Sequence, residues 1–203
     1  MDMICENNFV QLSGSLAGRP EFSHSARGQN FYCFPLEILR LSGNADTVNV
    51  IVRESQLENL QLSDGEKICV TGQLRSFNNR SGQGAKLVIT VFAKELGFCS
   101  CEDENLVILK GTLCKSPNLR STPMGRDICD LMLAVNRHYG RSDYLPCICW
   151  GKLAQEAALW DVGAKLSLTG RIQSRNYIKL SDSGAVEKTA FEVSVSRAEL
   201  ILE

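Results

Sequence analysis

The sequence repeats itself. Asn8-Phe9-Val10-Gln11-Leu12-Ser13-Gly14-Ser15-Leu16 lines up with Asn105-Leu106-Val107-Ile108-Leu109-Lys110-Gly111-Thr112-Leu113, and Pro20 falls near the place of Pro117. Val70-Thr71-Gly72-Gln73-Leu74-Arg75-Ser76 matches Leu168-Thr169-Gly170-Arg171-Ile172-Gln173-Ser174 at almost the same offset, and near the ends Val91, Glu95 and Leu96 correspond to Val195, Glu199 and Leu200. Two copies of about a hundred residues are a tandem duplication, because solenoids use shorter units and more of them. Each copy must therefore close a small core of its own. The division expected is residues 1–98, a linker at 99–104 containing Cys99-Ser100-Cys101 and the acidic run Glu102-Asp103-Glu104, and residues 105–203.

Within each copy the apolar residues alternate. Leu131, Leu133 and Val135 alternate with Met132, Ala134 and Asn136, Leu166, Leu168 and Ile172 with Ser167, Thr169 and Arg171, and Phe191, Val193 and Val195 with Glu192, Ser194 and Ser196. Period two predicts half-buried strands. One stretch is different: Leu153, Ala157 and Trp160 recur at helical spacing over Lys152 to Asp161, ended by Gly163, with a counterpart at Ser55 to Leu62 before Gly65. Each copy thus reads strand, strand, strand, helix, strand, strand. The class predicted is all-β, two tandem OB-folds, each a five-stranded Greek-key barrel with a helix between strands 3 and 4; such barrels commonly hold oligonucleotides on their open face. Turn signals at Asn78 to Gly84 and at Ser181-Asp182-Ser183-Gly184 mark binding loops before each final strand.

Strand alternation also assigns side chains to faces. In Tyr144-Leu145-Pro146-Cys147-Ile148-Cys149-Trp150 the odd positions suit a core, which leaves Tyr144 and Trp150 on the more open side. On the next strand Lys165, Arg171, Gln173, Arg175 and Tyr177 share the face away from Leu166, Leu168 and Ile172. Rings and guanidinium groups at alternate positions suit single-stranded nucleic acid: rings stack on splayed bases at about 1–3 kcal/mol each, and cations follow the phosphates.

The residues of the second copy also resemble a family. Asp130 to Arg137, Asp143-Tyr144-Leu145-Pro146-Cys147-Ile148-Cys149-Trp150-Gly151-Lys152-Leu153-Ala154, and Gly170-Arg171-Ile172-Gln173-Ser174-Arg175-Asn176-Tyr177 are similar, in order and spacing over most of 105–198, to bacterial single-stranded DNA-binding proteins. The resemblance implies single-stranded DNA as the partner, base stacking at Tyr139, Tyr144, Trp150 and Tyr177, and phosphate contacts at or beside Lys152, Arg171 and Arg175, with Arg137 grouped with them. It also implies an assembly of four barrels, hence a homodimer of this two-barrel chain. Aligned through Gly72 and Gly170, Trp150 corresponds to Val52, Tyr144 to Asp46 and Tyr177 to Asn79, so the first copy lacks that stacking set. Phe31, Tyr32, Phe34 and Phe77 offer other aromatics there, as core or as contacts. The family usually ends in a tail with an acidic tip that recruits other enzymes. This chain stops at Glu199-Leu200-Ile201-Leu202-Glu203, directly after the last strand, so partners recruited through a tail are not expected.

Charge supports the second copy as the binding half. The whole chain sums to −1, yet residues 105–198 hold 13 basic and 8 acidic residues while 1–98 hold 9 and 10. No apolar run reaches the roughly 18 residues of a membrane span, and the start lacks an export signal, so a cytoplasmic protein with no membrane contact is expected. Nine cysteines, an odd number at irregular spacing, read as free residues in a reducing compartment. Cys99-Ser100-Cys101 and Cys147-Ile148-Cys149 lack the wider spacing of zinc motifs, so no metal or cofactor is expected. His24 and His138 fall in predicted loops, and no nucleophile motif accompanies them, so no enzyme is expected either. The function expected is binding of single-stranded DNA with little sequence preference in replication, recombination or repair. The alternative is an OB-fold accessory protein of replication restart that acts mainly through protein contacts.

Overall fold

In a computed structural model of the chain, residues 6–58, 60–79, 86–138, 140–181 and 184–201 are described, with 176–181 and 184–188 described by their backbone. The chain forms two compact units. The first contains Phe9–Arg75 and Ile89–Leu106; the second contains Val107–Glu203 together with Met1–Asn8 and Ser76–Val88.

The first unit is built from β1 (Asn8–Leu16), β2 (Glu21–Ala26), β3 (Gln29–Leu39), β4 (Ala45–Arg53), α1 (Glu54–Leu57), β5 (Lys67–Asn78) and β6 (Leu87–Phe98). Its strand order is β2-β3-β4-β6-β5-β1, and a further pairing of β1 with β3 through Ser15↔Glu37 and Leu16↔Leu36 closes the sheet on itself. The second unit repeats this with β7 (Glu104–Leu113), β8 (Asn118–Ser121), β9 (Asp127–Asn136), β10 (Ser142–Trp150), α2 (Lys152–Ala157), β11 (Lys165–Ser181) and β12 (Gly184–Leu200). The order β7-β11-β12-β10-β9-β8 is closed by β7–β9. Both are OB-fold barrels, closed through these pairings while β2 and β8 remain as short edge strands. Alternation fills them: Leu131, Leu133, Val135, Leu145, Leu168 and Val193 are buried in the second, and Leu12, Phe34, Leu36, Val50, Val70 and Val91 in the first.

The repeated glycines have a steric cause. A Cβ on Gly14 would lie 2.3 Å from the Glu37 carbonyl oxygen, and one on Gly111 2.6 Å from that of Ala134. At Gly72 and Gly170 the same atom would meet the Phe92 and Ser194 carbonyls at 2.2 and 2.3 Å. Gly14 and Gly111 lie where the closing strand pairs meet, Gly72 and Gly170 where β5 and β11 run close against β6 and β12, and at each only a residue without a Cβ fits. A second repeated device is ionic. Arg40 pairs with Asp46 across the β3–β4 hairpin and Arg137 with Asp143 across β9–β10, each aspartate fully buried.

Several expectations are corrected. Each barrel carries one extra short strand, β2 or β8, so the helix follows the fourth strand in chain order rather than the third. All six residues of β2 are exposed, so it has no apolar alternation to betray it. His24 lies on this strand, not in a loop. Helix α2 ends at Ala157, and the bonds Leu159 N–Glu156 O and Trp160 N–Ala157 O continue it only as tight i→i−3 turns. Ala154 and Ala157 therefore form its buried side, while Trp160 is half-buried. Helix α1 is shorter than expected, at Glu54–Leu57.

The residue correspondence also shifts. The hairpins align Leu39↔Ala45 with Asn136↔Ser142, which makes Arg53 the counterpart of Trp150 and Thr47 that of Tyr144. The parallel pairs Val50↔Val91 and Cys147↔Val193 likewise make Val193 the counterpart of Val91. An extra residue lies between the hairpin and β11, so the offset taken at Gly170 does not hold in the hairpin.

Candidate nucleic-acid interface

Strand β10 carries the expected division of faces. Leu145, Cys147 and Cys149 are buried in the barrel, and Tyr144 is 51% exposed on the opposite side with Trp150 half-buried further along. Ile148, between them in the alternation, is covered. The Trp150 indole N–H donates to Ser194 Oγ at 3.2 Å, and the Arg126 guanidinium lies 6.0 Å from the ring centroid. That bond fixes the ring plane, and the cation sits within range of its face.

Beside these residues lies a groove of about 330 Å³ lined by Lys115, Arg120, Met132, Pro146, Arg175 and Phe191, among others. Its lining combines apolar side chains with the cations Lys115, Arg120 and Arg175 and the carboxylates Asp130 and Glu192. Arg120 is held in place by a two-point pair with Asp130, Nε to Oδ2 at 2.6 Å and Nη2 to Oδ1 at 3.0 Å. Both side chains of that pair stay more than one-third exposed. Arg171 and Arg175 are exposed on β11, whereas Gln173, between them on the same face, is buried and donates to Glu192 at 2.8 Å.

The other predicted residues fall as follows. Lys152 opens helix α2, its side chain 90% exposed and 3.9 Å from Glu156. Arg137 is engaged: Nε donates to Asp143 Oδ2 at 2.7 Å, and Nη2 donates both to Asp143 Oδ1 and, at 3.1 Å, to the Ser76 carbonyl. Ser76 returns two bonds, its amide to Asp143 and its hydroxyl accepting from the Tyr144 amide at 2.7 Å. Arg137 thus braces the start of β10. Tyr139, the side chain of Tyr177, and positions 80–84 and 182–183 of the loops expected at Asn78 to Gly84 and Ser181 to Gly184 lie outside the described residues. Sequence reasoning missed Lys115, Arg120, Arg126 and Phe191. Arg120 lies on the short strand β8 and Arg126 in the turn that follows it, where no apolar alternation marks a face, and Phe191 alternates in phase with the inward-facing Val193 and Val195.

The equivalent place in the first unit has exchanged its parts. Arg53 stands where Trp150 does, and its guanidinium lies 5.1 Å from the centroid of Phe92, the counterpart of Ser194. Phe31 packs against Phe92 and is stacked on His24 at 4.8 Å, while Phe34 is fully buried. Phe77, in the second unit, is 52% exposed. The ring and its polar neighbour are both kept, on opposite strands.

Two OB-fold barrels, one presenting a groove lined by apolar side chains and arginines beside an oriented tryptophan, fall in a class of fold that commonly holds oligonucleotides. Comparison narrows the class. The model of the single-strand binding protein family matches residues 104–201. Single-stranded DNA-binding protein 2 of Listeria innocua is 40% identical over 80 residues, covering 36% of this chain and 50% of that protein. Single-stranded DNA-binding protein B of Bacillus subtilis is 39% identical over 80 residues, covering 36% of this chain and 71% of that protein. The crystal structure of the wild-type single-stranded DNA binding protein from Thermus aquaticus matches 97% of this chain and 93% of its own, with a TM-score of 0.77 and 26% identity. The chain belongs to the single-strand binding protein family. It spans about half the length of the curated relatives it matches first. Among the described residues no helix is long and apolar enough to cross a membrane.

Proposed function

We propose that the protein binds single-stranded DNA with little sequence preference, without catalysing a reaction, through the open face of its second barrel. The observation that carries this is the conjunction of Trp150, oriented by Ser194 and backed by Arg126, with exposed Tyr144 and the groove of Arg120, Arg175 and Phe191. Bases stack on the rings and phosphates follow the arginines; neither contact distinguishes one base from another. Relatives named for single-stranded DNA support the substrate class. Tyr139 and Tyr177 complete the stacking set in this reading, and Lys152 and Arg171 extend the cationic track. Arg137 contributes by holding β10. Two barrels per chain and four per assembly make the functional unit a homodimer, and the division at 98 and 105 marks the two repeats, acting in replication, recombination or repair in the cytoplasm.

Titration with oligo-dT tests this through tryptophan fluorescence. Binding quenches Trp150, weakens as salt rises, and loses about 1–3 kcal/mol in Trp150→Ala. Absence of binding at low salt overturns the proposal and favours the protein-contact alternative. Light scattering tests the assembly, and a mass of one chain refutes the dimer.

A further inference from the structure

Outside the groove, three cysteines that are scattered in sequence meet in the first unit. The Sγ atoms of Cys69, Cys99 and Cys101 all lie within 4.8 Å of one another, with Cys69 and Cys101 at 3.4 Å. Ser13 stands directly opposite Cys69 across the β1–β5 ladder. Its buried hydroxyl lies 3.4 Å from the Cys99 sulfur and 3.2 Å from that of Cys101.

The backbone holds this arrangement independently of the sulfurs. The Cys99 amide donates to the Lys67 carbonyl at 3.2 Å. Two residues beyond Cys101, the Asp103 carboxylate accepts from the Lys67 ammonium and from the Leu39 amide. Residues 99–103, read from sequence as a plain linker, are thus folded back over β5. Pairing puts Cys69 and Ser13 on one side of the β1–β5 ladder, and the segment after β6 brings the Cys99 and Cys101 sulfurs to the same Ser13 hydroxyl.

We propose that Cys69, Cys99 and Cys101 form a binding site for a thiophilic divalent cation, with zinc as the natural occupant. A tetrahedral zinc thiolate has Zn–S bonds of about 2.3 Å, which places its sulfurs about 3.8 Å apart. Cys69 and Cys101 stand slightly closer than that at 3.4 Å and no pair is further apart than 4.8 Å, so small side-chain movements suffice. Three thiolates leave one position for water, and the Ser13 hydroxyl is set to donate its one proton to a bound sulfur and orient it. Cys69 and Cys99 are half-buried and Cys101 is exposed, so an ion can enter from solvent. A bound ion cross-links the 99–103 segment to β5 within the first unit. A redox disulfide needs two thiols; the third, converging with a hydroxyl donor, is what a cation requires.

The whole chain, reduced with a phosphine and stripped with chelator, is titrated with Co²⁺ and then Zn²⁺. One ion per chain is expected, with the visible spectrum of tetrahedral Co²⁺, a sulfur charge-transfer intensity of three thiolates, and its loss when Zn²⁺ displaces cobalt. The spectrum counts thiolates in the unaltered chain, so the test does not depend on any variant folding. Cys69→Ser, Cys99→Ser and Cys101→Ser each lose the charge-transfer band, Ser13→Ala weakens binding by about tenfold or more, and Cys33→Ser and Cys114→Ser leave it unchanged. The proposal is overturned if no stoichiometric ion binds, if binding persists in the triple serine variant, or if the chain forms a Cys69–Cys101 disulfide under metal-loading conditions instead of taking up the ion.

Discussion

Asp143→Ala separates the structural role of Arg137 from a role in binding. The Asp143 carboxylate is fully buried and accepts from Arg137 Nε at 2.7 Å, from Arg137 Nη2, and from the Ser76 amide at 2.6 Å. Truncation strands two donors. Leaving one member of a buried ion pair alone costs about 3–5 kcal/mol, and an unmatched buried amide adds about 1–3 kcal/mol. The Arg137 side chain keeps 27% exposure, so water recovers much of its share. The net expectation is about 3 kcal/mol, near the lower end of the ion-pair range. Urea denaturation followed by tryptophan fluorescence reads this locally, since both tryptophans, Trp150 and Trp160, belong to the second unit. Arg137→Met alone should lose stability because it leaves Asp143 buried without its cation, whereas Arg137→Met with Asp143→Leu should recover most of it. The same double variant should bind oligo-dT with an unchanged salt dependence. A loss below about 1 kcal/mol for Asp143→Ala, or a salt slope reduced by about one in Arg137→Met, would refute the reasoning.

Gly170→Ala should cost about 2–3 kcal/mol, since its Cβ would meet the Ser194 carbonyl at 2.3 Å and two backbones must part. Gly97→Ala, with no atom within 4 Å of the added carbon, should stay within about 0.5 kcal/mol by circular dichroism melting. Brief iodoacetamide treatment of the metal-free, reduced protein at neutral pH should label Cys99 well before Cys149 or Cys147. At Cys99 burial opposes ionisation, but hydrogen bonds from Cys69, Ser13 and Cys101 outweigh it and bring the thiol below its ordinary range. Burial pushes Cys149 up to about 12 and raises Cys147 as well, so neither holds much thiolate near pH 7. Peptide mass mapping checks the order, and early labelling of Cys147 would contradict its burial.

The barrels were legible because their signals are local. Alternation such as Leu131-Met132-Leu133-Ala134-Val135 reports a half-buried strand from the residues alone, and the glycines at 14, 72, 111 and 170 repeat because close approach of a neighbouring strand's carbonyl demands them in each copy. Tyr144 and Trp150 could be assigned to the open face for the same reason: a strand's period is two whatever it packs against. Strands β2 and β8 left no such mark, since exposed edge strands bury no face.

The sequence by itself therefore determined the duplication, the strand framework, the family, and the excess of cations in the second copy. Only the tertiary structure decided which charges are spent. Arg137 and Arg175 look alike in sequence, but the β9–β10 hairpin brings Asp143, six residues further on, into an ion pair with one, while the other stands exposed at the groove. It also decided that Cys69 meets Cys99 and Cys101, a convergence across thirty residues. Side-chain direction is set by local backbone; the identity of what a side chain meets is set by which strands pair, and no spacing along the chain encodes that.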